Sequence, residues 1–78
     1  MSSKKSIHLN PKKLLLSKWT AVHPANKEKH FLVTKVIVPE LPTQAIQDVE
    51  IEAVINHRSR IIPWRELTNP EQWQQGWI

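Results

Sequence analysis

The stretch from His30 to Val38, HFLVTKVIV, is the most strongly β-forming part of the chain. Six of its nine residues are large and apolar, and they fall on both alternating sides of an extended backbone. A strand that is apolar on both faces is typical of the middle of a sheet or of a small barrel. This stretch therefore predicts a central strand with the rest of the domain built around it.

Three further segments predict strands beside it. Val49 to Ile55 alternates apolar residues with the acids Glu50 and Glu52, which is typical of a half-buried strand. Ser17–Val22 is β-prone, with Trp19 and Ala21 on one side. After a turn at residues 56–59, Arg60–Ile62 begins another strand, which Pro63 ends or leaves at an edge.

Short helical turns are predicted towards both ends of this region. Asn10-Pro11 is a helix start and predicts one or two turns through Leu16. Residues 63–67, PWREL, predict another turn. Thr68-Asn69-Pro70-Glu71 is a second helix start, and it predicts a C-terminal helix that carries Trp73 and Trp77 on one face and ends at Gly76.

Together these elements predict a mainly β fold. We expect a small SH3-like or Tudor-like barrel, or else a curled antiparallel sheet of three to five strands, with short helical turns at the N- and C-terminal ends. Residues 10–78 form a single small domain, and the Ser/Lys-rich residues 1–9 are expected to be a disordered tail.

Composition limits how such a small domain can be held together. The chain has 78 residues, four tryptophans and no cysteine, so disulfides and thiolate zinc sites are excluded. Large side chains must then supply the core, and at least two indoles are expected to be buried. No apolar run approaches the ~20 residues of a membrane span or resembles a signal peptide, so we expect a cytoplasmic protein without a membrane partner.

The sequence offers little for catalysis. Ser17 and Ser59 lie in no nucleophile motif, and Glu50 with Glu52 is explained by a solvated strand face. The four histidines show no close ligand spacing, and the single glycine, Gly76, rules out a glycine-rich phosphate loop. We therefore expect no enzyme, no catalytic residues, no metal and no cofactor.

Positive charge is concentrated in the first half of the chain. Residues 1–35 contain eight lysines and one glutamate, whereas residues 36–78 contain three arginines and six acidic residues. Lysines neutralise phosphates, and planar rings interleaved with them stack on bases. This pattern predicts binding of single-stranded nucleic acid or structured RNA, with phosphate contacts from Lys12, Lys13, Lys18, Lys27, Lys29 and Arg58.

The candidate stacking or interface residues are Trp19, His30 and Trp77. Trp19 fits a core position as well as a binding surface, and Trp77 is the indole expected to be partly exposed. The alternative function is a protein–protein interaction module that uses exposed indoles and binds no nucleic acid. The oligomeric state is left open by the sequence.

Several short motifs also suggest a family. They are NPKKLL at 10–15, SKWTA at 17–21, EKHF at 28–31, EAV at 52–54, PWREL at 63–67, and Trp73 followed by Gly76-Trp77. Over residues 10–77 the chain resembles a family of short, tryptophan-rich bacterial proteins of unknown function. The resemblance implies one compact domain, and it implies no particular chemistry.

Overall fold

The computed structural model describes residues 9–41 and 43–78, which form one antiparallel sheet. Its strands are β1 (Lys18–Ala25), β2 (Glu28–Ile37), β3 (Asp48–Ala53), β4 (Ser59–Pro63) and β5 (Trp73–Gln75). They lie side by side in the order β4-β3-β2-β1-β5, so the predicted central strand β2 is in the middle. Two 3₁₀ turns, Pro11–Lys13 and Trp64–Thr68, complete the regular structure of this part of the chain.

The mainly β prediction is confirmed, in the form of an open sheet and not a closed barrel. Closure would require hydrogen bonds between β4 and β5, but these strands form opposite edges. The chain between them instead forms the 3₁₀ turn Trp64–Thr68, which places Leu67 in the core with none of its surface exposed. The predicted helical turn at residues 63–67 is therefore correct, and it links the two edges.

One face of the sheet, here called the core face, carries the hydrophobic core. Cross-strand neighbours such as Trp19 and Phe31, Val33 and Ile51, and Val49 and Ile62 stack their side chains there. The ten buried apolar residues are Leu14, Trp19, Phe31, Val33, Val49, Ile51, Ala53, Ile62, Leu67 and Trp73. Two of them are tryptophans, so the expectation of at least two buried indoles is confirmed.

Local irregularities shape the sheet. The turn from β1 to β2 has positive φ at both Asn26 (55°) and Lys27 (64°), as in the type I′ turns that suit tight hairpins. The β1–β2 pairing shifts register between Thr20 and Ala25, and the β2–β3 pairing shifts at Thr34. The Thr34 hydroxyl donates to the carboxylate of Glu50 at 3.0 Å, which holds the second bulge in place.

The prediction of a C-terminal helix is wrong. Asn69 still caps a turn, accepting from the backbone N–H of Glu71 at 2.9 Å. The chain then extends into β5, because Trp73 gains a buried position against Phe31 and β5 gains hydrogen bonds to β1. Tertiary packing here outweighs a local helix-start signal.

At the other end, the N-terminal turn is shorter than predicted. The side chain of Asn10 accepts from the backbone N–H of Lys12 at 3.0 Å, as expected of a cap, but the turn ends at Lys13 and not at Leu16. The predicted disordered tail lies outside the described residues except for Leu9, which is half-buried against the core. Among the described helical segments, none has the length and apolar character needed to cross a bilayer.

Candidate nucleic-acid interface

Three of the residues predicted from the sequence meet on the face opposite the core, here called the outer face. Lys18 and His30 point to this face from β1 and β2, and Trp77 folds back over them after β5. The Lys18 ammonium lies 4.9 Å from the centre of the Trp77 ring, and the His30 and Trp77 ring centres are 6.1 Å apart. Lys18, His30 and Trp77 are called the Trp77 cluster below.

Hydrogen bonds fix the orientation of Trp77. Its indole N–H donates to the Phe31 carbonyl at 2.9 Å, so the ring is tied to the backbone of the central strand. The Thr20 hydroxyl donates to the Gly76 carbonyl at 2.6 Å and accepts from the Ile78 N–H at 3.1 Å. Trp77 is still 42% exposed, so part of a planar aromatic surface faces solvent beside the ammonium of Lys18.

The other three tryptophans are structural. Trp19 has no exposed surface, and its N–H donates to Ser17 Oγ at 2.8 Å; Trp19 is therefore a core residue and cannot stack on a ligand. Trp73 is buried against Phe31 and donates to Glu66 at 3.2 Å. Trp64 is half-buried and donates to the Ile46 carbonyl at 2.9 Å. Trp77 is therefore the most exposed of the four tryptophans.

The predicted phosphate-binding residues do not share one surface. Lys12, Lys13 and Lys18 lie in the 3₁₀ turn and at the start of β1. Lys27 lies in the hairpin turn, beyond the end of β1. Lys29 precedes His30 on β2, and strand alternation places it on the core face with Phe31.

Arg58 belongs to the hairpin end and already has an acidic neighbour. Its guanidinium lies 3.4 Å from the carboxylate of Glu28, which also accepts from the Asn56 side chain at 2.7 Å. Arg58 is therefore partly neutralised, in contrast to Lys12, Lys13 and Lys18, for which the described residues contain no ion pair.

Acidic residues occupy the other half of the outer face. Asp48, Glu50 and Glu52 project from β3, with Glu52 accepting from His57 at 2.7 Å and Glu50 from Thr34. A polyanion would be repelled there and attracted on the side of β1 and β5. The acids of β3 therefore limit the candidate interface to the Trp77 cluster and the segment leading into β1. No group of three side chains suited to a metal ion occurs among the described residues.

Two features of the surface were missed by the sequence reasoning. The first is a set of exposed aliphatic side chains, Leu15, Leu16, Val38 and Leu41, which are 53–72% exposed. The second is a groove on the core face that includes Arg60 and Glu66. The groove combines residues that are distant in sequence, so no local pattern signals it.

The sheet is also the region that identifies the chain. The family model described as "Tryptophan-rich protein (DUF2389)" matches residues 17–78, which include all five strands. The chain belongs to the tryptophan-rich DUF2389 family. The resemblance to a tryptophan-rich family of unknown function is thereby confirmed for residues 17–78, whereas the NPKKLL motif at 10–15 lies outside the match. No curated protein and no solved structure shows significant similarity to this member of the family.

Proposed function

We propose that this DUF2389 domain binds single-stranded nucleic acid, with Trp77 as a stacking platform for a base. The observation that carries the proposal is the Trp77 cluster, which combines a fixed, 42% exposed indole with the ammonium of Lys18 and the imidazole of His30. Stacking on a planar ring together with phosphate neutralisation is the usual way in which proteins bind single strands without reading their sequence.

The distribution of charge supports one path for the nucleic acid across the protein surface. Lys12 and Lys13 lie a few residues before Lys18, so the three lysines can contact successive phosphates while a base lies on Trp77. The acids Glu50 and Glu52 on β3 disfavour a path across the whole outer face. Because the contacts go to phosphates and to ring faces, we expect little preference for base sequence.

The test is fluorescence anisotropy with a labelled single-stranded oligonucleotide. Trp77→Ala should weaken binding by about 1–3 kcal/mol, and Trp77→Phe should restore part of the loss because a planar ring remains. Ile61→Ala is the matched control, since Ile61 is also an exposed apolar residue of the outer face but lies on β4, away from the cluster. Absence of binding at low salt would refute the proposed function.

A second candidate, a protein-interaction module, is favoured by a separate observation. Leu15 and Val38, which are 53% and 72% exposed, line a mainly apolar groove with Val36 and Ile46, and Lys12, Thr34 and Lys35 complete its lining. Exposed aliphatic patches of this kind often mark protein contacts. An interaction of this type should survive nuclease treatment and high salt, and Leu15→Ser with Val38→Ser should abolish it.

A further inference from the structure

The core face is not covered completely. Leu67 fills part of it, but a groove of about 390 Å³ stays open towards the β1–β2 hairpin. This volume lies in the range of small-molecule sites, roughly 300–1,000 Å³. The groove is lined by Phe31, Trp73, Glu28, Arg58, Arg60 and Glu66, among others, and it is called the core-face groove below.

Two aromatic side chains of the core, Phe31 and Trp73, lie at the bottom of the groove. Phe31 and Trp73 meet edge to face with ring centres 5.2 Å apart, and both are almost fully buried. The indole N–H of Trp73 is held by one oxygen of Glu66 at 3.2 Å. An apolar group that enters the groove would therefore contact side chains that are already ordered. Its binding would lose little free energy to the ordering of those side chains.

The walls also carry charged side chains of opposite sign. Arg58 is paired with Glu28, and the only other ion pair among the described residues joins His57 and Glu52. The Arg60 guanidinium, 6.0 Å from the centre of the Phe31 ring, and the carboxylate of Glu66 have no ion-pair partner in that part of the chain. A ligand that carries both an anion and a cation could pair with both residues.

We infer that the core-face groove binds a small zwitterion with an apolar body, of the α-amino acid class. Its carboxylate would accept from the Arg60 guanidinium, and its ammonium would donate to the Glu66 oxygen that is not engaged with Trp73. The apolar side chain would lie in the groove beside Ala21 and Ala25, against the small exposed edges of Phe31 and Trp73. This site is on the opposite face from the Trp77 cluster, so it is independent of the proposed nucleic-acid function.

Three probes of similar shape test the inference. L-Phenylalanine has both charges, 3-phenylpropanoate lacks the ammonium, and phenylalaninamide lacks the carboxylate. The readout is the indole N–H signal of Trp73 in ¹H–¹⁵N spectra of the full chain, with the Trp77 signal as an internal reference. Phenylalanine should shift the Trp73 signal saturably, and each of the other two probes should bind roughly tenfold or more weakly.

Two variants test whether Arg60 binds the carboxylate of the ligand and Glu66 binds its ammonium. Arg60→Met keeps an apolar stem over Phe31 and should remove the preference for phenylalanine over phenylalaninamide. Glu66→Gln keeps an acceptor for the Trp73 N–H and should remove the preference over 3-phenylpropanoate. Arg65→Gln is the control, because it removes one charge from a residue that stacks on Trp64 outside the groove.

Some results would overturn the inference. One is a Trp73 signal that responds to none of the probes up to their solubility. Another is equal binding of all three probes, and a third is unchanged selectivity in both folded variants. A shift confined to Trp77 would also contradict it, since that indole is on the other face.

Discussion

Trp73 and Trp77 are four residues apart, yet their side chains lie on opposite faces of the sheet. Trp73 is 3% exposed in the core, whereas Trp77 is 42% exposed on the outer face. Between them, Gly76 has φ of +88°, a conformation that side chains with a Cβ rarely adopt. The chain changes direction there and brings Trp77 over Lys18 and His30.

Gly76→Ala should therefore weaken both the fold and the stacking site. A Cβ at this position would meet no atom within 4 Å, so the effect is backbone strain and not a clash. We expect a loss of about 1–2 kcal/mol in the free energy of unfolding, measured by urea denaturation. Gln75→Ala is the control at a neighbouring exposed strand position and should be nearly neutral. Equal stability of the two variants would show that Gly76 is not required.

The sequence predicted this part of the chain least well, for a reason that Trp73 illustrates. The Asn-Pro-Glu helix start and the spacing of Trp73 and Trp77 are genuine helical signals. They are outweighed because Trp73 packs edge to face on Phe31, a residue 42 positions earlier in the chain, and local patterns contain no information about that contact. By contrast, both ends of β3 were predicted within two residues. Apolar and polar residues alternate along β3 because one of its faces is buried, so the local sequence itself indicates the strand.

The candidate site shows the same division. Lys18, His30 and Trp77 were each identified by residue type, but only the β1–β2 register and the turn at Gly76 bring them together. Arg60 and Glu66 were not identified as site residues, because the groove they line is created by the incomplete cover over the core face.

Truncation of a buried tryptophan and of the exposed Trp77 should have different effects on the free energy of unfolding. Trp19→Ala removes a fully buried indole and should cost about 3–5 kcal/mol, enough to unfold much of a domain this small. Trp77→Ala removes a side chain that is 42% exposed and should leave the protein folded. Thermal unfolding followed by circular dichroism compares them directly. A stable Trp19→Ala variant would contradict the assignment of Trp19 to the core.

The β1–β2 turn offers a stabilising substitution. Lys27 has φ of 64°, which is unfavourable for a residue with a side chain, so Lys27→Gly should raise stability by about 0.5–1 kcal/mol. Lys29→Gly removes the same charge from within β2 and should instead lower stability by a similar amount. Denaturant midpoints of the two variants provide the measurement. If Lys27→Gly is the less stable of the two, the turn does not have the geometry described.

Salt dependence can tell which lysines contact nucleic acid. Each phosphate contact on a single strand contributes about 0.7 to the log–log slope of affinity against salt. If Lys12, Lys13 and Lys18 form the interface, the slope should be about −2, whereas contacts from all six predicted cations would give about −4. Lys12→Gln with Lys13→Gln should flatten the slope by about 1.4. The matched pair Lys27→Gln with Lys29→Gln should leave it unchanged, because Lys27 lies in the hairpin turn and Lys29 alternates to the core face, away from the Trp77 cluster. If only the Lys27/Lys29 variant changes the slope, the nucleic acid does not bind beside Trp77.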